Sequence, residues 1–125
     1  MDTTITVIQV LLTIFAGAAG LLRFATPYAT FTKLPAQGWA LEFEPWHVKL
    51  IGALEVGIAL GIIVALFLLS LAMFTPLAAV GLALVMAGAM ATHLRRKEYP
   101  NAIGNLVWLG LALFLAYSTL VGFAV

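Results

Sequence analysis

The chain has no cysteine, only two histidines, and charged residues at 9% of its positions. Each scarcity removes a class of chemistry. Without cysteine there is no disulfide, no thiolate nucleophile, no iron–sulfur cluster and no cysteine zinc site. His47 and His93 lie too far apart in sequence to offer metal-ligand spacing, so no metal is expected. A formal net charge of +1 carries none of the clustered basic surface that nucleic acid requires, and no nucleic-acid partner is expected. The opening Met1-Asp2-Thr3-Thr4 has no basic n-region, so the first apolar segment reads as a retained helix and not as a cleaved signal.

What the chain has in excess is apolar surface. Of its 125 residues 64% are hydrophobic, against roughly 45–50% in a soluble domain, which implies an integral membrane protein. A bilayer core takes about 20 apolar residues per helix. Four segments reach that length, at about 4–22, 50–71, 76–92 and 102–123. The expected fold is therefore all-α: one transmembrane four-helix bundle over residues 1–125, with a long, aromatic-rich first loop. Glu44-Pro45 and Thr75-Pro76 each supply a cap and a first-turn proline before the second and third helices, and Tyr99-Pro100-Asn101 interrupts the chain before the fourth. Only a short turn near Ser70 to Phe74 is left between the second and third spans.

All six basic residues fall at one end of this arrangement: Arg23, Lys33 and Lys49 around the first loop, Arg95, Arg96 and Lys97 in the third. The positive-inside rule then puts loops 23–49 and 93–101 in the cytoplasm and both termini in the periplasm or exterior, in a multi-pass protein of a bacterial inner membrane. The first loop carries Phe24, Tyr28, Phe31, Trp39, Phe43 and Trp46. An aromatic belt in the headgroup zone explains them, and so does a lid over a cavity. The run His93-Leu94-Arg95-Arg96-Lys97 reads as a topology anchor for anionic headgroups.

Glu55 is the only charge between Leu50 and Leu94, and an ionisable residue inside a span is a functional-site candidate by default. At ~1.5 Å per residue it lies about 8 Å inside the boundary at Leu50, with Asn105 at similar depth and Arg23 and His93 near the rim. These four residues, Arg23, Glu55, His93 and Asn105, form a candidate polar cluster. It either fixes helix register or lines a pocket for a headgroup or quinone-like ring, with Glu55 and His93 able to relay a proton. His93 is a poor candidate for haem, since no second histidine shares its depth, and Met73, Met86 and Met90 read as packing residues. Gly57 and Gly61 make a GxxxG pair that suits close helix packing, within the bundle or against a second copy.

The sequence resembles the DoxX-like family of small bacterial four-helix membrane proteins. The resemblance is carried by Lys49-Leu50-Ile51-Gly52-Ala53-Leu54-Glu55, by Thr75-Pro76-Leu77-Ala78-Ala79-Val80-Gly81-Leu82-Ala83-Leu84, by Thr92-His93-Leu94-Arg95-Arg96 and by Asn105-Leu106. It spans about 49–117, with the first helix matching in general character. Most of the family has no assigned activity, and related members look like membrane subunits of thiosulfate:quinone oxidoreductase or partners in sulfur redox metabolism. The resemblance marks Glu55, His93 and Asn105 as recurrent polar positions. With no metal, nucleophile or nucleotide motif in the chain, the expected role is a non-catalytic accessory or structural subunit of a larger membrane complex, a redox complex among the candidates, docked to other membrane subunits or to its own copies. Two alternatives stay open: a membrane subunit of a quinone-linked oxidoreductase, or a small binder of lipid or another hydrophobic ligand. No cofactor motif is evident, and a quinone is the cofactor these readings admit.

Overall fold

The computed structural model describes residues 3–124 and, among them, only helices and their connections. In chain order these are α1 (Thr3–Ala25), the one-turn α2 (Tyr28–Phe31), a 3-10 turn (Gly38–Glu42), α3 (Pro45–Phe67), a 3-10 turn (Leu69–Leu71), α4 (Phe74–Arg95) and α5 (Tyr99–Ala124). Four of the helices, α1, α3, α4 and α5, are long and apolar enough to cross a membrane. Met1, Asp2 and Val125 lie outside the described residues.

Helix boundaries differ from the sequence expectation where polar residues continue a helix beyond its apolar run. The second span begins at Pro45, not Leu50, because His47 and Lys49 are helical although they belong to the interface. Glu44 is the N-cap in extended conformation (φ −65°, ψ 150°) and Pro45 occupies the first turn. Its fixed φ suits that position and its missing N–H costs nothing there. Glu44 makes no side-chain cap. The same span stops at Phe67, short of Leu71.

Tyr99-Pro100-Asn101 does not interrupt the chain. A proline in the first turn has no carbonyl beneath it to clash with, so α5 starts at Tyr99. The break falls instead at Lys97, whose φ of 60° is left-handed. Lys97 N–H bonds the Leu94 carbonyl at 3.0 Å and Glu98 N–H bonds the His93 carbonyl at 2.8 Å, a Schellman cap with lysine where glycine is usual.

Packing divides the bundle into two halves. α1 runs closely along α3, and α4 along α5, while α3 meets α4 more sparsely and α1 touches α5 in few places. The common core is built from small and medium side chains, among them Leu12, Ala16, Ile62, Ala79, Leu82 and Leu115. Large apolar residues such as Leu60, Leu77, Leu84 and Tyr117 face outward, as a lipid-facing surface requires.

The closest approach is between α1 and α3. A Cβ added at Gly52 would lie 2.6 Å from the Gly20 carbonyl oxygen, and one at Gly20 would lie 2.7 Å from that of Gly52. Two missing side chains let the backbones touch. The GxxxG pair is placed differently. A Cβ at Gly61 would sit 3.4 Å from Ala78 Cβ of α4, whereas one at Gly57 would meet nothing within 4 Å. Gly57 borders an apolar groove between α3 and α4, shared with Leu54 and Leu77.

The first connection is folded. Phe31, Trp39 and Ala40 are buried together against Val48 at the start of α3. Tyr28 Oη donates to the Ala40 and Phe43 carbonyls at 3.1 and 2.9 Å. Lys49 Nζ donates to the Phe24 carbonyl at 2.9 Å. These contacts hold the connection to the α1–α3 half.

Candidate functional site

The glycine crossing sets the site. In this antiparallel pair Gly20 lies opposite Glu55 and Gly52 opposite Arg23, so each glycine leaves room for the partner helix's charged residue and the two side chains reach along the seam to meet. Arg23 Nη1 donates to Glu55 Oε1. Glu55 is fully buried, so its charge is compensated by Arg23 and not by water. Each partner keeps one buried polar atom, Arg23 Nε and Glu55 Oε2, without a hydrogen bond among the described residues.

Trp39, from the 3-10 turn of the first connection, lies beside this pair with the Arg23 guanidinium 5.4 Å from its ring centroid. That is within cation–π range. The indole N–H donates to Gln37 Oε1 at 2.8 Å, which fixes the ring. On its other side the ring meets His93 of α4 edge to face, with centroids 6.5 Å apart. Trp39 thus stands between Arg23 and His93.

His93 pairs with Glu98 and not with Glu55. Its Nδ1 is 2.9 Å from Glu98 Oε1, across the Schellman cap. Arg96 Nε donates to the same carboxylate at 3.1 Å, and Arg96 Nη1 reaches Glu42 of the first connection at 2.7 Å. Arg95 donates to the other oxygen of Glu42 at 2.5 Å. The hydrogen bond with His93, and then the Arg96 guanidinium, hold the Glu98 carboxyl below the usual carboxylate range despite some desolvation. The bonds to Glu42 and Glu98 push the Arg96 guanidinium up.

Two hollows flank Trp39. A cavity of about 330 Å³ lies on the α3–α4 side, where Arg23, Trp39, Phe43 and His93 meet apolar walls that include Ile51 and Val85. A cleft of about 230 Å³ lies on the α1–α5 side, where the carboxamides of Gln37, Asn101 and Asn105 face Arg23, Trp39 and Trp108. Trp108 stacks on Phe15 of α1 with centroids 4.1 Å apart. Arg23, Trp39 and His93 border both hollows, so the indole is the wall they share.

Arg23, His93 and Asn105 border the cleft with Trp39, and Glu55 joins them through Arg23; the four do not form one hydrogen-bonded network. Arg23 and Glu55 pair directly, His93 pairs with Glu98, and Asn105 lines the cleft. Sequence reasoning did not single out Trp39, Glu42 or Glu98. The available signal was the aromatic density of the first connection, which does not say which ring turns inward. Among the described residues no group of three or more histidine, aspartate or glutamate side chains is placed to hold a metal ion.

A profile described as the DoxX-like family matches residues 6–115. That range takes in α1 and the first connection, beyond the 49–117 stretch that carries the resemblance in sequence motifs. No curated protein and no solved structure matches the chain.

Proposed function

The chain belongs to the DoxX-like family, and from that premise we propose that it is a non-catalytic accessory subunit of a larger membrane complex, holding a compact-headed hydrophobic ligand of the quinone class under its first connection. The observation that carries this reading is the cavity beside Trp39. A guanidinium, an imidazole and an indole converge there on otherwise apolar walls. Few polar groups in a mostly apolar hollow are the usual make-up of a small-molecule site. The Arg23 guanidinium supplies charge for a carbonyl oxygen. The ring walls of Trp39 and Phe43 suit a flat head, and the cavity borders the sparsely packed α3–α4 seam, through which a tail can leave into lipid. The basic end, with Arg23, Lys33, Lys49 and the 95–97 run, faces the cytoplasm of a bacterial inner membrane in this reading.

One observation favours a second reading, a membrane subunit of a quinone-linked oxidoreductase. His93 borders the cavity and its Nδ1 contacts Glu98 at the end of the bundle, which is the start of a proton route from ligand to water.

Native mass spectrometry of the protein extracted in mild detergent from its own membrane, with small molecules identified from the same sample, tests the proposal. We expect partner polypeptides together with a quinone-class molecule, and loss of that molecule in Trp39→Ala. Partners without any retained small molecule would leave the accessory role and remove the binding site.

A further inference from the structure

The first connection bridges the two halves of the bundle, and its two sides are fastened in different ways. Toward α1 and α3 it is packed: Phe31, Trp39 and Ala40 bury against Val48, and Tyr28 ties the segment to itself. Toward α4 and α5 its hydrogen bonds and ion pairs, among the described residues, all come from one carboxylate, that of Glu42 with Arg95 and Arg96. The first fastening is apolar and buried. The second is ionic, with Arg95 64% and Glu42 32% exposed, together with the edge-to-face contact of Trp39 with His93.

We propose that residues 26–44 are a lid hinged on the α1–α3 half and latched to α4 by Glu42, and that release of the latch admits ligand to the cavity under Trp39. The consequence for ligand rests on the binding reading above; the motion does not. Exposed ion pairs contribute little to stability, so this latch opens on thermal fluctuation, which a buried weld such as Arg23–Glu55 does not. Trp39 lies three residues before Glu42, on the packed side of the lid. When the lid lifts, Trp39 stays with the α1–α3 half and its ring parts from His93, so the wall common to the cavity and the cleft opens on its α4 edge. The apolar hollow then joins the carboxamide-lined one. Closure restores the wall and excludes water from the Arg23 side.

The absence of cysteine makes the motion directly measurable. Spin labels at Leu41→Cys on the lid and Tyr99→Cys at the start of α5, both exposed positions, report the lid-to-α5 distance in lipid nanodiscs. Glu42→Gln should raise the long-distance population about fivefold, the size set by losing exposed pairs. Arg95→Gln should do the same to a smaller degree, and the double variant should add little to Glu42→Gln, since both act through one contact. In the same nanodiscs, a benzoquinone carrying one isoprene unit should quench tryptophan emission several-fold faster in Glu42→Gln than in the unaltered chain. An unchanged distance distribution overturns the lid. A widened distribution with an unchanged quenching rate overturns its role as a gate. Absence of quenching in both proteins defeats the binding reading, and the distance measurement still decides the lid.

Discussion

The α1–α3 and α3–α4 seams share one helix and use glycine to opposite ends. Gly20 and Gly52 face each other across the first seam, so that either Cβ would strike backbone, and the contact they allow places Arg23 against Glu55. Gly57 and Gly61 have the spacing associated with helix association, yet one opens onto a groove and the other meets only Ala78. What closes the first seam is glycine on both helices, so that backbone meets backbone; Gly61 against Ala78 brings small residues together and the groove still runs past them. The tight seam carries a buried charge pair; the loose one borders the cavity and is spanned from above by an exposed ionic latch.

The contrast can be broken most severely at Glu55. Glu55→Ala leaves Arg23 unpaired inside the tight seam, and removal of one partner of a buried pair costs about 3–5 kcal/mol. Denaturation in mixed detergent micelles should show that loss, and an unchanged midpoint would mean that the pair does not hold α1 to α3. Gly52→Ala comes next, at about 1–3 kcal/mol for forcing a methyl group into closed packing. Thermal unfolding followed by circular dichroism measures it.

Acid should act on the loose side. The Glu98 carboxyl is held below its ordinary range by His93 and then Arg96, so its contribution is complete above the usual carboxylate pKa and disappears as pH falls through its lowered value. Stability should therefore decline on acidification below the usual carboxylate range, and Glu98→Gln should flatten that part of the profile. The smallest effect belongs to Gly57→Ala, which meets no neighbour and should be neutral or gain up to about 1 kcal/mol from helix propensity. A clear loss there would indicate that the groove is occupied in the membrane.

Much of this contrast was legible in the residues before any coordinates. Hydropathy located the four spans, and helical spacing and depth gathered Arg23, Glu55, His93 and Asn105 at one end, with Arg23 one of several partners open to Glu55. Helix ends were less legible, because hydropathy stops at the last apolar residue while hydrogen bonding continues through His47, Lys49 and Tyr99. Lys97 was hidden for a related reason: a left-handed lysine looks like any other member of a basic run. The Glu98 partner of His93 depends on the left-handed cap at Lys97, and the Glu42 latch on where residues 26–44 fold back, a path that no periodicity in that stretch encodes. Trp39 belongs to the same blind region, although it is the residue around which both hollows are arranged.

The Arg23–Glu55 pair has one more property, electrical in kind. A single elementary charge carried through 100 mV of transmembrane potential exchanges about 2.3 kcal/mol with the field. Equal and opposite charges in direct contact, moving together, exchange almost none. Any tilt or slide of α1 and α3 as one body is therefore nearly invisible to membrane voltage, and only a motion that draws guanidinium and carboxylate apart along the bilayer normal would generate gating charge.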